Sequence, residues 1–571
     1  MGWGILPDHR TPRPPGTVLL DDLLGSHHID VDAPEAAKLK KQGHVVLQPQ
    51  PCDSPNDPLN WPMKVKIQVF VTIAVTMVAI GGVLGMLSTA GRILGEKFHV
   101  KYSVVIQNVT APGTASTMGA LFLAAPLAAV FGKRVLIVCG VFGITADMFA
   151  GIFANSLPYY RALSVLNGIW MAPVELLIAP ITTDLIFVHQ RGRFMALSAV
   201  IRDVGSDASH IISGNIIAKL GVKYLYIVSV SVFAILSTCN FLFMRETTFV
   251  RPKKVEPEEI DSATASSSSV MGDSKRDDGF LEDSSKKGKV TETEVYELTP
   301  VVTQRKPGRI VNDSATEPKH TFRQNIALFR GRITHRSMKK SFLQPFGVMT
   351  IPTVIFATFI HGTFITWIIS STIIQHQILL FPPYNVKPDV LSYLTLPGSV
   401  VNLVTALFAG TVSDWLIQFC ARRNAGIYEP EFRLFMLIPA TICTSAGFAL
   451  LGPLYHNNAA VWKIVVAGLC FHMAGPFASS GTIPYIFDTM QNASTEAFVA
   501  VALIRHVFIL LAQSYIPVWL EHKGPLHLHQ TLLVVNLCVA AFVIPVYFYG
   551  KRMRGMVSRN AFFRKACETA A

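Results

Sequence analysis

The stretch "VFVTIAVTMVAIGGVLGMLSTAG", Val69 to Gly91, runs without a charged residue for longer than the roughly 20 residues that cross a bilayer core. That reading sets the fold class, because the chain repeats it. "VLIVCGVFGIT", "YIVSVSVFAILSTCNFLFM" and "TLLVVNLCVAAFVIPVYFYG" are apolar in the same way. Over its 571 residues the sequence is 50% hydrophobic and 15% charged, with a mean hydropathy of +0.40. Soluble domains carry about 25% charged residues, so the deficit points to an integral, polytopic membrane protein.

The net charge of +13 is segregated in a way that argues against nucleic acid as a partner. Basic residues gather at alternate segment ends: Lys64 and Lys66, Lys133 and Arg134, Arg191 and Arg193, Arg422 and Arg423, then Lys551, Arg552 and Arg554. This is the positive-inside bias, and it assigns all of these groups to the cytoplasmic side. The opening "MGWGILPDHRTPRPPG" has neither the apolar core of a signal peptide nor the Ser or Thr of a myristoylation motif, so residues 1–66 are expected to form a cytosolic tail. The eight cysteines include no C-x-x-C pair and fall mostly in apolar segments, where they act as small hydrophobes. Disulfides, metals and cofactors are therefore not expected.

Twelve membrane helices are expected in two six-helix halves. The first half has spans at about 67–90, 108–131, 134–155, 160–182, 194–217 and 223–244. The second has spans at about 346–371, 389–412, 433–454, 461–485, 497–520 and 530–550. In domain terms these are residues 67–245 and 343–550, followed by a tail at 551–571. Residues 246–342 are polar, Ser-rich and mixed in charge, and read as a disordered cytoplasmic linker with candidate phosphorylation sites. An even number of spans puts both termini in the cytosol. "GALFLAAPLAAVFGKR" (Gly119 to Arg134) is echoed by "TALFAGTVSDWLIQFCARR" (Thr405 to Arg423). Chance likeness between two membrane helices is one account of that echo, and a parallel repeat of the kind used by alternating-access transporters is the other.

The chain resembles the major facilitator superfamily, within it a fungal branch of the twelve-span drug:proton antiporter type that includes polyamine and cation transporters and secondary-metabolite exporters. The likeness runs from about Gln50 to Arg554. It is carried by "SPNDPLNWP", "RALSVLNGIWMAPVELLIAPITTDLIFVHQRGRFMAL", "FMRETTFVR", "FPPYNVKPDVLSYLTLPGSV", "SDWLIQFCARRNAGIYEPEFRL", "IPYIFDTM", "EAFVAVALIRHVF" and "YGKRMR". The resemblance implies an all-helical alternating-access fold, a small-molecule substrate, coupled protons, and function as a monomer in the lipid bilayer.

The resemblance assigns a cytoplasmic gate motif to Gly119, Pro126, Gly132, Lys133 and Arg134. Ala129 stands where many members have Asp, which implies a weaker gate or one that relies on the second half. There Asp414 precedes Arg422 and Arg423 and supplies acid and bases together. The positive-inside rule alone accounts for the bases but not for Asp414.

Ionisable groups within spans are costly and usually face a cavity or a partner. Arg161 opens the fourth span where the family motif has a buried arginine linked to proton coupling. Glu175 follows fourteen residues later, on a similar helix face, and matches an acid in a cavity-lining span. A carboxylate there suits a cationic substrate or a proton, and a pairing that only orients helices is the alternative. The fifth span carries "IRDVGSDASHIISG", in which Ser209-His210 replaces the family's Gly-Pro. Gly205, Ser209, Ser213 and Gly214 keep a packing face, while Asp203, Asp207 and His210 share a polar face beside Arg202. Asp207 and His210 are then a candidate proton-responsive pair, against a structural Arg202 contact at the membrane edge. In the second half His361, His472, Asp488, Arg505 and His506 are secondary candidates, with anchoring expected for Asp488 and Arg505.

Enzyme chemistry lacks its parts. The sequence has no Walker-type loop, no G-x-S-x-G elbow and no H-E-x-x-H. Among three sequons only Asn108 is expected to be accessible for glycosylation, because Asn312 and Asn492 fall on cytosolic loops. The sequence reading is a proton-coupled exporter of a drug, toxin or secondary metabolite at the plasma membrane. Uptake of polyamines or other organic cations is the first alternative, and a non-transporting membrane sensor the second.

Overall fold

The computed structural model describes residues 4–11, 14–19, 41–42, 45–46, 52, 54–186, 205–206, 208–249, 319–329, 331–334, 337–424, 426–490 and 493–563. The first half consists of α1 (Met63–Phe98), α2 (Ala111–Phe131), α3 (Lys133–Gly151), α4 (Leu157–Leu185), α5 (residues 208–220) and α6 (Val222–Phe243). The second half opens with an amphipathic helix, α7 (Met338–Met349). It continues with α8 (Pro352–Leu379), α9 (Leu396–Arg422), α10 (Leu437–His456), α11 (Val461–Thr489), α12 (Ser494–Ala541) and α13 (Val543–Arg559). Helices dominate because lipid offers no partner for backbone groups, and a helix satisfies its own.

Ten stretches of the described residues are long and apolar enough to cross a membrane. Twelve spans are consistent with that number for two reasons. The fifth expected span begins outside the described residues, and the last stretch, Glu496–Arg559, is 64 residues long. α12 alone has 48 residues, about 72 Å of helix, roughly twice a bilayer core. It breaks at Gly524, whose φ of 75° and ψ of 170° leave the helical region where only glycine is at ease, with Pro525 next.

Proline marks matching spans of the two halves. α4 contains Pro173 and Pro180, and α11 contains Pro476 and Pro484. Each proline removes one internal hydrogen bond, so both helices carry two weak points at similar spacing. α2 is preceded by a π-helical segment, Ile106–Thr110, and ends at Gly132, whose φ of 97° reverses the chain into α3.

Packing joins the halves at two levels. Val499, Ala502 and Leu503 of α12 belong to the core of the first half. Tyr102 and Ile106 of the first half belong to a core built from the second. The first of these levels lies toward the face carrying the chain termini, and the second toward the opposite face. On that opposite face Gln107 donates to the Ser514 carbonyl at 2.7 Å, Thr114 to Gln513 Oε1 at 2.8 Å, and Asn215 to Tyr393 Oη at 3.0 Å. Arg92 of α1 also donates to the Leu380 carbonyl at 2.5 Å.

Segments expected to be plain tail or linker are folded onto this body. Val18–Leu19 pairs antiparallel with Ile427–Tyr428, and Leu6 donates to the Phe548 carbonyl at 3.0 Å. Arg554, 2% exposed, is ringed by Glu429, Glu431, the Pro15 carbonyl and Thr17. Residues of "SPNDPLNWP" sit on the first half instead: Asp57 caps Pro58–Asn60, and Lys66 donates to the Leu59 carbonyl at 2.9 Å. At the far end of the expected linker, Phe322–Ile326 is helical and α7 begins at Met338, so that end is not the disordered chain its composition implied. The reason is tertiary: Phe329 and Phe346 find aromatic partners on α2.

Candidate functional site

Glu175 lies inside α4, two residues after Pro173, and Arg505 and His506 lie twelve and thirteen residues into α12. The three meet between the halves. Arg505 Nη2 donates to Glu175 Oε1, and His506 Nε2 stands 3.6 Å from Glu175 Oε2. The Glu175 and Arg505 side chains are 16% and 10% exposed, and His506 Nδ1 is bonded to the Ala502 carbonyl at 2.7 Å, which fixes the ring. A carboxylate with a guanidinium on one oxygen and an imidazole near the other can exchange partners whenever a proton or an organic cation competes for it.

Arg505, expected to anchor its helix, reaches across to the other half. Its partner is the acid of the opposite half, a pairing 330 positions apart that local spacing does not reveal. Arg161 also differs from the expectation of a buried coupling residue. It is exposed, some 21 Å along α4 from Glu175, and lines an open cleft of about 510 Å³ with Gln107, Ser116 and Leu510. Asp488 accepts from Arg433 at 2.7 Å and from Tyr428 Oη at 2.5 Å. His361 is buried against Thr482 Oγ1 at 2.9 Å, and His472 packs beside Gly398.

Arg202, Asp203 and Asp207 lie outside the described residues. His210 is buried, its Nδ1 bonded to the Ser206 carbonyl at 2.7 Å, and its ring is 5.8 Å from that of His376 on α8. The small residues of this span pack as their size suggests: Gly205 abuts Val78, Ser209 lies against Gly82, and Gly214 abuts Ser392 across the halves.

At the gate motif, Ala129 leaves no local acid, and the structure supplies two from elsewhere. Glu246 caps α3 by accepting from the backbone amides of Lys133 at 3.0 Å and Arg134 at 3.1 Å. Asp184 of α4 holds the Lys133 side chain. Arg134 is 1% exposed and donates to the carbonyls of Met244, Ala327 and Phe241, so it ties the start of α3 to the end of α6 and to the Phe322–Ile326 helix. A Cβ added at Gly119 would meet no atom of the described residues within 4 Å beyond its own helix turn, and Pro126 sits inside α2. Asp414 is on the exposed surface of α9, two turns before Arg422, rather than within a shared loop, and Arg423 stacks on Phe419 at 4.4 Å. Asn108 donates to the Val104 carbonyl at 2.8 Å inside the π-helical segment, a setting unlike the exposed loop expected of a glycosylated asparagine.

Sequence reasoning passed over Asp147, the one acid within α3. It is 4% exposed; Asn167 of α4 donates to its Oδ2 at 3.1 Å, while its Oδ1 has no hydrogen bond among the described residues. A lone acid in an apolar run was the signal that would have found it.

Two helical halves meeting around a buried acid–base group, with contacts joining them toward both faces, have the build of a membrane carrier. The chain belongs to the Major Facilitator Superfamily, whose family model matches residues 69–512, and it is a transporter of small solutes rather than an enzyme. Protein HOL1 of Saccharomyces cerevisiae is 25% identical over 95% of both chains. An uncharacterized MFS-type transporter of Schizosaccharomyces pombe is 23% identical over 97% of this chain and 95% of that one. Multidrug transporter TPO1_2 of Candida glabrata is 26% identical over 34% of each. The fold is shared with the xylose transporter XylE from E. coli in a partially occluded inward-open conformation, with a TM-score of 0.52, 11% identity, and coverage of 84% of this chain and 99% of that one.

Proposed function

We propose that this chain exports a small organic molecule bearing a cationic group in exchange for protons, across the plasma membrane, with both termini in the cytosol. The observation that carries this reading is Glu175 held between Arg505 and His506 at the seam of the halves. In the paired state the carboxylate ties α4 to α12. A proton neutralises it and frees Arg505, whereas a substrate cation replaces Arg505, so proton and substrate exclude one another on one group. Mutual exclusion at a shared site gives antiport in an alternating-access carrier when the form with neither ligand does not switch faces. The likeness over part of the chain to a protein named a multidrug transporter supports a small organic substrate. The same carboxylate also suits a polyamine, which makes polyamine uptake the second reading.

Flux in proteoliposomes tests it. A proton gradient is expected to drive labelled organic cations outward, and Glu175→Gln is expected to uncouple movement from the gradient. Flux that ignores collapse of the gradient, or that stays gradient-driven in Glu175→Gln, would sink antiport. Inward accumulation of spermidine would favour uptake. No flux at all, with signalling lost on deletion of residues 251–315, would favour a sensor.

A further inference from the structure

We propose that the segment from Lys319 to Met349 is a docking surface for anionic phospholipid headgroups in the leaflet nearest the chain termini. Its sequence is one-sided in charge: seven Lys and Arg lie between Lys319 and Lys340, and no acid occurs from Pro318 through Pro388. Ile333 donates to the Val130 carbonyl at 2.8 Å and Thr334 to the Ala129 carbonyl at 2.5 Å, so the chain entering α7 is pinned at the end of α2. Further along, Phe346 stacks on Phe122 at 4.9 Å with the rings 10° apart. Phe122 lies nine residues before the end of α2, about 13 Å along its axis. α7 therefore runs inward beside α2, from the surface toward the acyl region.

Its faces divide accordingly. Gln344, Pro345 and Val348 are buried against the protein. Lys339, Lys340, Phe342, Leu343 and Phe346 are exposed, with Leu343 at 63%. The lysines occupy the outer turn and the apolar groups the inner turns, the order of a phospholipid's phosphate and chains. Lipid is the partner that fits because the apolar stripe continues onto the membrane-facing flank of α2, where Leu123 is 57% exposed. Basic residues beside a span are attracted to an anionic leaflet. α7 also touches both halves: Gln344 and Pro345 share a small cavity of about 140 Å³ with Ala125 of α2 and Val499 of α12. Lipid that holds α7 in place thus braces the seam near the termini.

The test uses the full chain, with bound lipid counted by native mass spectrometry after reconstitution in mixed phosphatidylcholine and phosphatidylserine. Wild type is expected to retain phosphatidylserine selectively, with a preference that shrinks as salt rises. Lys339→Gln with Lys340→Gln is expected to lower that preference about 25-fold, about fivefold for each lysine. Both side chains are exposed, so folding is expected to be unaffected. Equal retention of the two lipids by wild type, an unchanged preference in the double variant, or displacement by inorganic phosphate alone would overturn the assignment.

Discussion

Arg505→Gln and Glu175→Gln each remove one side of the pair that ties α4 to α12, and the geometry says they are unequal. Stripping one partner from a buried ion pair costs about 3–5 kcal/mol, because the other charge is left without compensation. In Arg505→Gln the stranded carboxylate still has His506 at 3.6 Å, so the loss belongs at the low end, about 3 kcal/mol. In Glu175→Gln the stranded group is a guanidinium only 10% exposed with an imidazole as its neighbour, so the loss belongs at the high end, about 5 kcal/mol. The double substitution leaves two neutral amides in place of two charges and is expected to cost less than either single change. Reversible SDS-driven unfolding of the four proteins in one lipid closes the cycle, with a coupling of at least about 5 kcal/mol, the sum of the single losses less that of the double. A double variant whose loss equals the sum of the singles within about 0.5 kcal/mol would refute the pairing as a link between the halves.

Gly214→Val places a side chain into Ser392 and within 2.8 Å of the Pro388 carbonyl, which holds α5 away from the second half. The strain of about 1–3 kcal/mol is expected to open the face away from the termini, and an impermeant maleimide should label a cysteine at position 106, where Ile106 is 1% exposed, about 5- to 150-fold faster. At Asp147, the Ala variant strands the Asn167 amide at a cost of about 1–3 kcal/mol, while Asn keeps shape and a partner. Thermal unfolding is expected to rank wild type and Asp147→Asn together, with Asp147→Ala below them.

What was legible in the sequence followed a simple physical rule, and what was not followed another. Spans were legible because hydrocarbon thickness dictates length and composition, so "VFVTIAVTMVAIGGVLGMLSTAG" announces a helix without reference to anything else. Glu175 was legible for a related reason, since a charge in such a helix is too costly to be idle. Its partner was not, because Arg505 is 330 positions away and only the packed fold brings the two together. Long separations also hid Glu246 and Asp184, 113 and 51 positions from Lys133, which bring acids to the turn after α2 where Ala129 has none, and His376, which faces His210. Arg161 was placed by likeness to a motif in which the arginine is buried, and here it lines an open cleft. The docked tail escaped notice because Pro and Asp content signals weak intrinsic order and says nothing about a surface built to receive it.

Among the described residues, the N-terminal segment from Leu6 is bound to the last helix, through Leu6 on Phe548 and Asp8 on Arg559. Reporters fused near the two termini would therefore ride on one rigid body, and a donor and acceptor placed there would record no distance change however often the carrier cycled. A label beside Asn56, which is bonded to His320 on the first half's side, paired with one at the C-terminal end, would see the halves rock.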